Sequence, residues 1–174
     1  MTLINLSGIH SETYRELTDG DLPAAGESVL VPLSQLQDNG AAIFELTSSV
    51  GVIVDTETAY SDLEEFVGQV SFVDIRFPVF GDGRGFSLAV RLRKDFGFKG
   101  EIRASGHVLP DQALFLLRAG FDSVDAAEER REAFEAALKR FGAFYQTDMI
   151  GHGKSVAHLR HSASGNDTTT KEAG

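Results

Sequence analysis

The fold class is decided by the stretch Val73–Asp122, VDIRFPVFGDGRGFSLAVRLRKDFGFKGEIRASGHVLPDQALFLLRAGFD. An apolar run leads through the glycine-rich loop FGDGRGFS into a helical pattern, and the succession of strand and helix then repeats. Such alternation predicts a mostly parallel sheet with crossover helices. We therefore expect a single α/β domain, built either as an open doubly wound sheet or as half of a β/α barrel. Periodicity does not separate these two architectures.

The same alternation extends on both sides of that stretch. The β-branched run VGVIVD, Val50–Asp55, is typical of a buried strand. A helix is predicted after it, because apolar residues recur at helical spacing at Leu63, Phe66, Val67 and Val70, and Ser61 with Glu64 fits a capping box. The strongly amphipathic segment Glu128–Tyr145 predicts the last helix.

Composition divides the chain into three parts. Residues 1–26 are polar and dotted with glycine and proline, which predicts an irregular arm or a short edge strand. Residues 27–148 hold the α/β domain. Residues 149–174 are rich in glycine, serine, threonine and histidine, and we expect a flexible tail.

Charge and cysteine content exclude several classes of function. The net charge of −10 argues against nucleic acid as the main partner. The absence of cysteine excludes disulfides, cysteine-ligated clusters and thiol catalysis within this chain. The start MTLINLSGIHSETYRE lacks the features of a signal peptide, and no apolar run is long enough to span a membrane. We expect a cytoplasmic protein without a membrane association.

The loop FGDGRGFS does not fit the established nucleotide fingerprints. Its glycines, Gly81, Gly83 and Gly85, lack the spacing of a dinucleotide motif, and the acid of the next strand, Glu101, stands at the wrong end of that strand. A P-loop is excluded because no Gly-Lys-Ser/Thr follows.

Two interpretations of this loop stay open. As an anion clamp, it would bind a small oxyanion through the amides and side chains of Gly83, Arg84, Gly85 and Ser87. As a purely structural turn, its glycines would adopt positive φ and Arg84 would pair with an acid such as Asp82.

The segment RASGHVLPDQ supplies the other candidate site residues. It places Arg103 and His107 at or just beyond a strand end and Asp111 at the start of the next helix. If the strands are parallel, this rim lies beside Asp82, and Asp82, His107 and Asp111 become candidate catalytic residues with Arg103 as a further anion ligand. Alternatively, Asp111 caps the helix and Arg103 pairs with it. The remaining histidines show no metal-ligand spacing, so no metal site is predicted.

The linked motifs FPVFGDGRGFSLAVRLR, GFKGEIRASGHVLPDQ and RAGFD closely resemble DUF934, a bacterial family of unknown function. The resemblance covers roughly residues 50–146. It implies a companion of assimilatory sulfite reduction and a label of oxidoreductase. It provides no catalytic residue set that could be carried over.

The oxidoreductase label conflicts with the residues themselves. Redox chemistry usually needs a borrowed carrier, and the sequence specifies no cofactor: a flavin or a nicotinamide would have to bind without a familiar motif. One hypothesis is therefore a small enzyme or redox component of sulfite assimilation. The other is a non-catalytic binding or assembly partner of the sulfite reductase, and a homo-oligomer is a third interpretation.

Overall fold

The computed structural model of the protein describes residues 2–7, 14–18 and 20–140. Seven strands form one curled sheet in the order β1-β7-β6-β5-β4-β3-β2. Their bounds are Thr2–Asn5 (β1), Arg15–Glu16 (β2), Ser28–Pro32 (β3), Ser49–Asp55 (β4), Phe72–Phe77 (β5), Glu101–Gly106 (β6) and Ser123–Ala126 (β7). Neighbouring strands from β2 to β7 run parallel, and only β1 is antiparallel, to β7.

Helices connect or follow the parallel strands. The α-helices span Leu33–Leu46 (α1), Arg84–Lys94 (α2), Ala113–Ala119 (α3) and Arg131–Lys139 (α4). Short 3₁₀ turns lie at Tyr60–Leu63, Pro110–Gln112 and Glu128–Arg130. No helix in the described part of the chain is both long and apolar enough to cross a bilayer.

All four α-helices pack on the same face of the sheet. The main core joins alternate strand residues, such as Val52, Ile75 and Ala104, to apolar residues of every helix: Leu36, Ile43, Leu88, Leu92, Leu116, Leu117 and Phe134. Because β3 to β7 follow one another in sequence order, each right-handed crossover places its helix on the same side. The expected α/β domain is confirmed in its half-barrel form, and the doubly wound alternative, which needs helices on both faces, is wrong.

The face of the sheet turned away from the helices has a different character. A small apolar cluster of Leu30, Ile53 and Phe72 lies there, with Tyr14 stacked on the Phe72 ring at 4.9 Å between centroids. The neighbouring strands β5, β6 and β7 present charged and hydroxyl side chains on this face, which we call the polar face.

The helix predicted from Leu63 to Val70 is the main local error. Only the 3₁₀ turn Tyr60–Leu63 forms, followed by turns whose backbone bonds alternate between the i−3 and i−4 patterns. The predicted capping box is absent, because no side chain of the described residues caps this turn. Leu63, Phe66 and Val70 are nevertheless buried, so the apolar stripe reaches the core without a continuous helix.

Both ends of the domain depart from the simplest division of the chain. The arm predicted for residues 1–26 contributes the two outermost strands, because β1 pairs with β7 and β2 pairs with β3 at the opposite border. In the last helical segment, α4 accounts for Arg131–Lys139, and its predicted continuation beyond residue 140 lies outside the described residues. The predicted tail, residues 149–174, also lies outside them.

Candidate functional site

The loops that follow β5 and β6 meet at the carboxyl edge of the sheet. The His107 amide donates to the Phe77 carbonyl at 2.9 Å, and the Gln112 side chain donates to the Phe80 carbonyl at 3.4 Å. Because β5 and β6 are parallel, Arg84 and Asp111 both follow strand ends at this edge. The structure therefore brings the two predicted segments together, which is where β/α proteins place ligands.

A cluster of four side chains organises the loop after β5; we call Thr56, Glu57, Asp82 and Arg84 the rim cluster. The Arg84 guanidinium donates through Nε and Nη2 to the two Asp82 oxygens at 2.9 and 2.7 Å, and Nη2 also reaches Glu57 at 3.1 Å. The buried Thr56 hydroxyl donates to Asp82 as well. The Arg84 amide at the start of α2 donates to Asp82 Oδ1 at 3.1 Å.

These contacts fix the charges of the rim cluster. Hydrogen bonds from Arg84 and then Thr56 hold the pKa of Asp82 well below its ordinary value, and burial acts more weakly in the opposite direction. The same contacts raise the pKa of Arg84. Two carboxylates against one guanidinium leave a net charge of −1. An incoming oxyanion would have to displace Asp82 from Arg84, so anion binding by Gly83, Arg84, Gly85 and Ser87 stays a prediction.

Packing requires a glycine in this loop only at Gly85, and no dihedral angle requires one. The expectation of positive φ is wrong, since Gly81, Gly83 and Gly85 all lack it. A Cβ at Gly85 would lie 2.6 Å from Cζ of Phe77 and 3.1 Å from Cγ2 of Thr56, whereas a Cβ at Gly83 would meet nothing within 4 Å. Gly85 therefore lets α2 begin directly against β5.

His107 and Asp111 lie at the same edge and are both exposed. Asp111 sits in the 3₁₀ turn before α3, and no side-chain hydrogen bond caps that helix, so the alternative role of Asp111 as a helix cap is wrong. The Gln112 side chain instead accepts the Leu109 amide at 3.1 Å. Catalytic roles for Asp82, His107 and Asp111 remain predictions, and Asp82 is already engaged by Arg84.

Arg103 occupies a different place from the one predicted. It is the third residue of β6, opposite Asp74 of β5 and Ser123 of β7, rather than at a strand end. Its Nη2 pairs with Glu101 at 3.0 Å, and its guanidinium lies 4.3 Å from the centre of the Phe72 ring. No ion pair joins it to Asp111, although the structure describes both residues. Arg103 belongs to the polar face and not to the rim.

The polar face contains a buried carboxyl group that the sequence analysis missed. Asp74 is 4% exposed, its Oδ2 lies 3.4 Å from Arg76 Nε, and its Oδ1 has no hydrogen-bond partner. The Ser105 hydroxyl is close enough to act on this carboxylate, but it too lacks a partner in good hydrogen-bonding geometry. Burial raises the pKa of Asp74, against the opposing effects of Ser105 and the two neighbouring arginines.

A period of two in the sequence could have identified this face. In FVDIRF the polar residues Asp74 and Arg76 alternate with apolar ones, and in EIRASG the residues Glu101, Arg103 and Ser105 do the same. Paired strands place such residues side by side. The alternation therefore predicts a charged surface on two adjacent strands.

Within the described ranges, no three His, Asp or Glu side chains stand close enough to share a metal ion. An open groove of about 630 Å³ runs between α1 and the turns after β4, lined by Gly40, Phe44, Phe66 and Gln69 among others. It contains none of the predicted site residues.

Comparison with known families identifies the chain. Residues 51–154 match the family described as "Bacterial protein of unknown function (DUF934)", and because the match covers more than half of the sequence, the protein belongs to that family. The match includes β5, the rim cluster and the segment after β6, and it confirms the resemblance found in the sequence. None of the curated proteins matches the chain.

Proposed function

We propose that this DUF934 protein is an accessory component of assimilatory sulfite reduction that binds another protein of the pathway. The pathway follows from the family resemblance. One observation supports the mode of action: the charged residues of the loop after β5 pair with each other, whereas Val79 and Phe80, which we call the apolar tip, are left exposed.

Asp82, Arg84 and Gly85 of the loop have structural explanations. Asp82 and Arg84 satisfy each other, and Gly85 allows the close contact with Phe77. The apolar tip has no such explanation. Leaving a large apolar side chain exposed forgoes about 1.5–3 kcal/mol of the free energy that its burial would contribute. A partner that covers these side chains would recover that free energy.

A third exposed apolar residue, Phe115, extends the apolar surface. Val79, Phe80 and Phe115 are 58%, 47% and 61% exposed. Gln112 holds the Phe80 carbonyl, and Phe115 follows Gln112 by three residues, which places them on the same side of the helical segment. Neighbouring exposed apolar residues are typical of protein contact sites, and aromatic residues frequently dominate their affinity.

Growth of a deletion strain tests the pathway assignment. We expect a strain lacking the protein to fail on sulfate and on sulfite as sole sulfur sources and to grow on cysteine. The wild-type gene supplied in trans should restore growth. Normal growth of the deletion strain on sulfite would remove the protein from this pathway.

An enzymatic role is the second candidate, and Asp74 favours it. A buried carboxyl group with a raised pKa next to Ser105 is a candidate for proton transfer. The electron carrier would have to be a bound cofactor or a partner subunit, because the chain has no cysteine. An absorbance spectrum of freshly purified protein tests this candidate, since a bound flavin absorbs visible light and a colourless protein would speak against it.

A further inference from the structure

We infer that the partner surface bound by the apolar tip is basic, with lysine or arginine side chains arranged around an apolar pocket. This inference rests on the proposed function and specifies the chemistry of the partner. It follows from the carboxylates that surround the tip at the carboxyl edge of the sheet.

Exposed carboxylates flank the tip on both sides. Asp55 ends β4 on one side, Asp111 follows β6 on the other, and Glu128 and Glu129 follow β7. Together with Glu57 and Asp82 of the rim cluster, these residues make six carboxylates against the arginines at 84, 130 and 131, a net charge of −3. The carboxyl edge of the sheet on both sides of the apolar tip is therefore acidic, and we call these six carboxylates the acidic edge.

Three of these carboxylates have no cationic partner within the described residues. Glu57 pairs with Arg84 and Glu128 pairs with Arg131, whereas no described lysine or arginine lies within ion-pair distance of Asp55, Asp111 or Glu129. The Asp55 contacts are local, to the amides of Glu57 and Thr58 at 2.8 and 2.9 Å. These three carboxylates are available to a positively charged surface.

A basic partner fits this arrangement better than the alternatives do. Complementary charge around an apolar centre accelerates association and excludes surfaces of the wrong sign. A second copy docked through the same edge would bring two acidic edges together across a two-fold axis, and the repulsion between their carboxylates would oppose binding. A free oxyanion would meet the same repulsion.

Binding measurements with matched variants test the inference. The full-length protein is immobilised, and the Kd of purified sulfite reductase is measured for wild type, for the edge variant D55N/D111N/E129Q and for the tip variant V79S/F80S. The matched control, E45Q/E65Q/E135Q, neutralises three exposed carboxylates elsewhere on the protein. Circular dichroism checks that each variant is folded.

We expect the edge variant to weaken binding by about tenfold, mainly through a slower association rate, and to reduce its salt dependence. The control should change the Kd less than threefold, and the tip variant should abolish measurable binding. If the edge variant binds as tightly as wild type while the tip variant fails, the basic-partner inference is overturned and the proposed function stands. If wild type does not bind the reductase, or if the tip variant binds normally, both are overturned.

Discussion

Helix α2 carries an arginine near each end that pairs with an aspartate, and the two pairs differ in how deeply they are buried. At its start, Arg84 pairs with Asp82 at the carboxyl edge; near its end, Arg93 pairs with Asp122 at the amino edge. The Arg84 side chain is 59% exposed and that of Arg93 only 8%. The same chemical pair therefore shapes a surface loop at one edge of the sheet and joins buried elements at the other.

The buried pair is also the more completely bonded one. Arg93 donates to the carbonyls of Phe98, Gly100 and Gly120 at 2.7–3.0 Å in addition to Asp122. Asp122 accepts the Ile102 amide at 2.8 Å. Burial lowers the pKa of Arg93 despite the neighbouring carboxylate. This pair connects α2 to the amino ends of β6 and β7, and we assign it a structural role.

Among the predicted changes, removing Asp122, the buried partner of Arg93, should lower the stability of the protein most. Asp122→Ala leaves the Arg93 charge and the Ile102 amide buried without their acceptor, and we expect the free energy of unfolding to fall by about 3–5 kcal/mol. Urea denaturation measures this loss. Arg84→Ala is the comparison, and we expect a clearly smaller loss, because the Arg84 side chain is 59% exposed. Equal losses for the two variants would contradict the assignment of different roles.

Glycine substitutions compare two positions within the rim loop. Gly85→Ala forces a Cβ into the Phe77 ring and the Thr56 methyl group, and we expect a loss of about 1–3 kcal/mol. Gly83 has φ −75 and open space, so Gly83→Ala should be nearly neutral. Thermal and urea unfolding of both variants check the difference. A neutral Gly85→Ala would show that α2 does not need its close approach to β5.

Thr56→Val probes the buried side of the rim cluster. It keeps the side-chain shape but removes the hydroxyl that donates to Asp82, and we expect a loss of about 1 kcal/mol. Thr58→Val is the control, because the Thr58 hydroxyl bonds to the exposed Asp55 at 3.0 Å and should matter less. A larger effect at Thr58 would reverse the expected order.

The pH dependence of stability separates the polar face from the rim. Asp74 has a raised pKa in the folded protein, so the native state binds a proton more tightly than the unfolded chain does. Stability should therefore fall as pH rises from about 4, the ordinary value, through the native pKa of Asp74. Asp74→Asn removes this fall, and its stability relative to wild type should increase with pH.

Asp82 should behave in the opposite sense. Its lowered pKa means that its contribution is present above about pH 4 and is lost as the solution becomes more acidic. Asp82→Asn should therefore lose stability relative to wild type as pH rises through that window. Urea titrations between pH 3 and 8 measure both variants, and a common sign would refute the contrast.

The sequence predicts the strands of this fold better than its architecture. The segments VGVIVD and VDIRF predict buried strands because they are rich in β-branched and apolar residues, and β4 and β5 form there. Whether crossover helices lie on one face or on two depends on the spatial order of the strands. That order is a long-range property, and the same local patterns suit both architectures.

The candidate site residues show the same limit: contacts between neighbours in the sequence are predictable, and contacts between distant segments are not. Asp82 and Arg84 are two positions apart, so their pairing could be foreseen as an alternative. The contribution of Thr56 and Glu57 could not be foreseen, because they lie in the turn after β4 and meet the loop after β5 only in the folded protein. Arg103 is the third of six residues in β6, and the strand places its side chain on the polar face beside Glu101 rather than at the rim.

The central claim is that the apolar tip, and not Arg84, carries the function of the carboxyl edge. The most direct test is growth on sulfate of a deletion strain that carries one of two variants. The account predicts that the deletion strain is rescued by Arg84→Ala, whose guanidinium serves the loop itself, and is not rescued by V79S/F80S at equal protein level. The opposite result, rescue by the tip variant and failure of Arg84→Ala, would contradict the account and identify the arginine as the functional group of this edge.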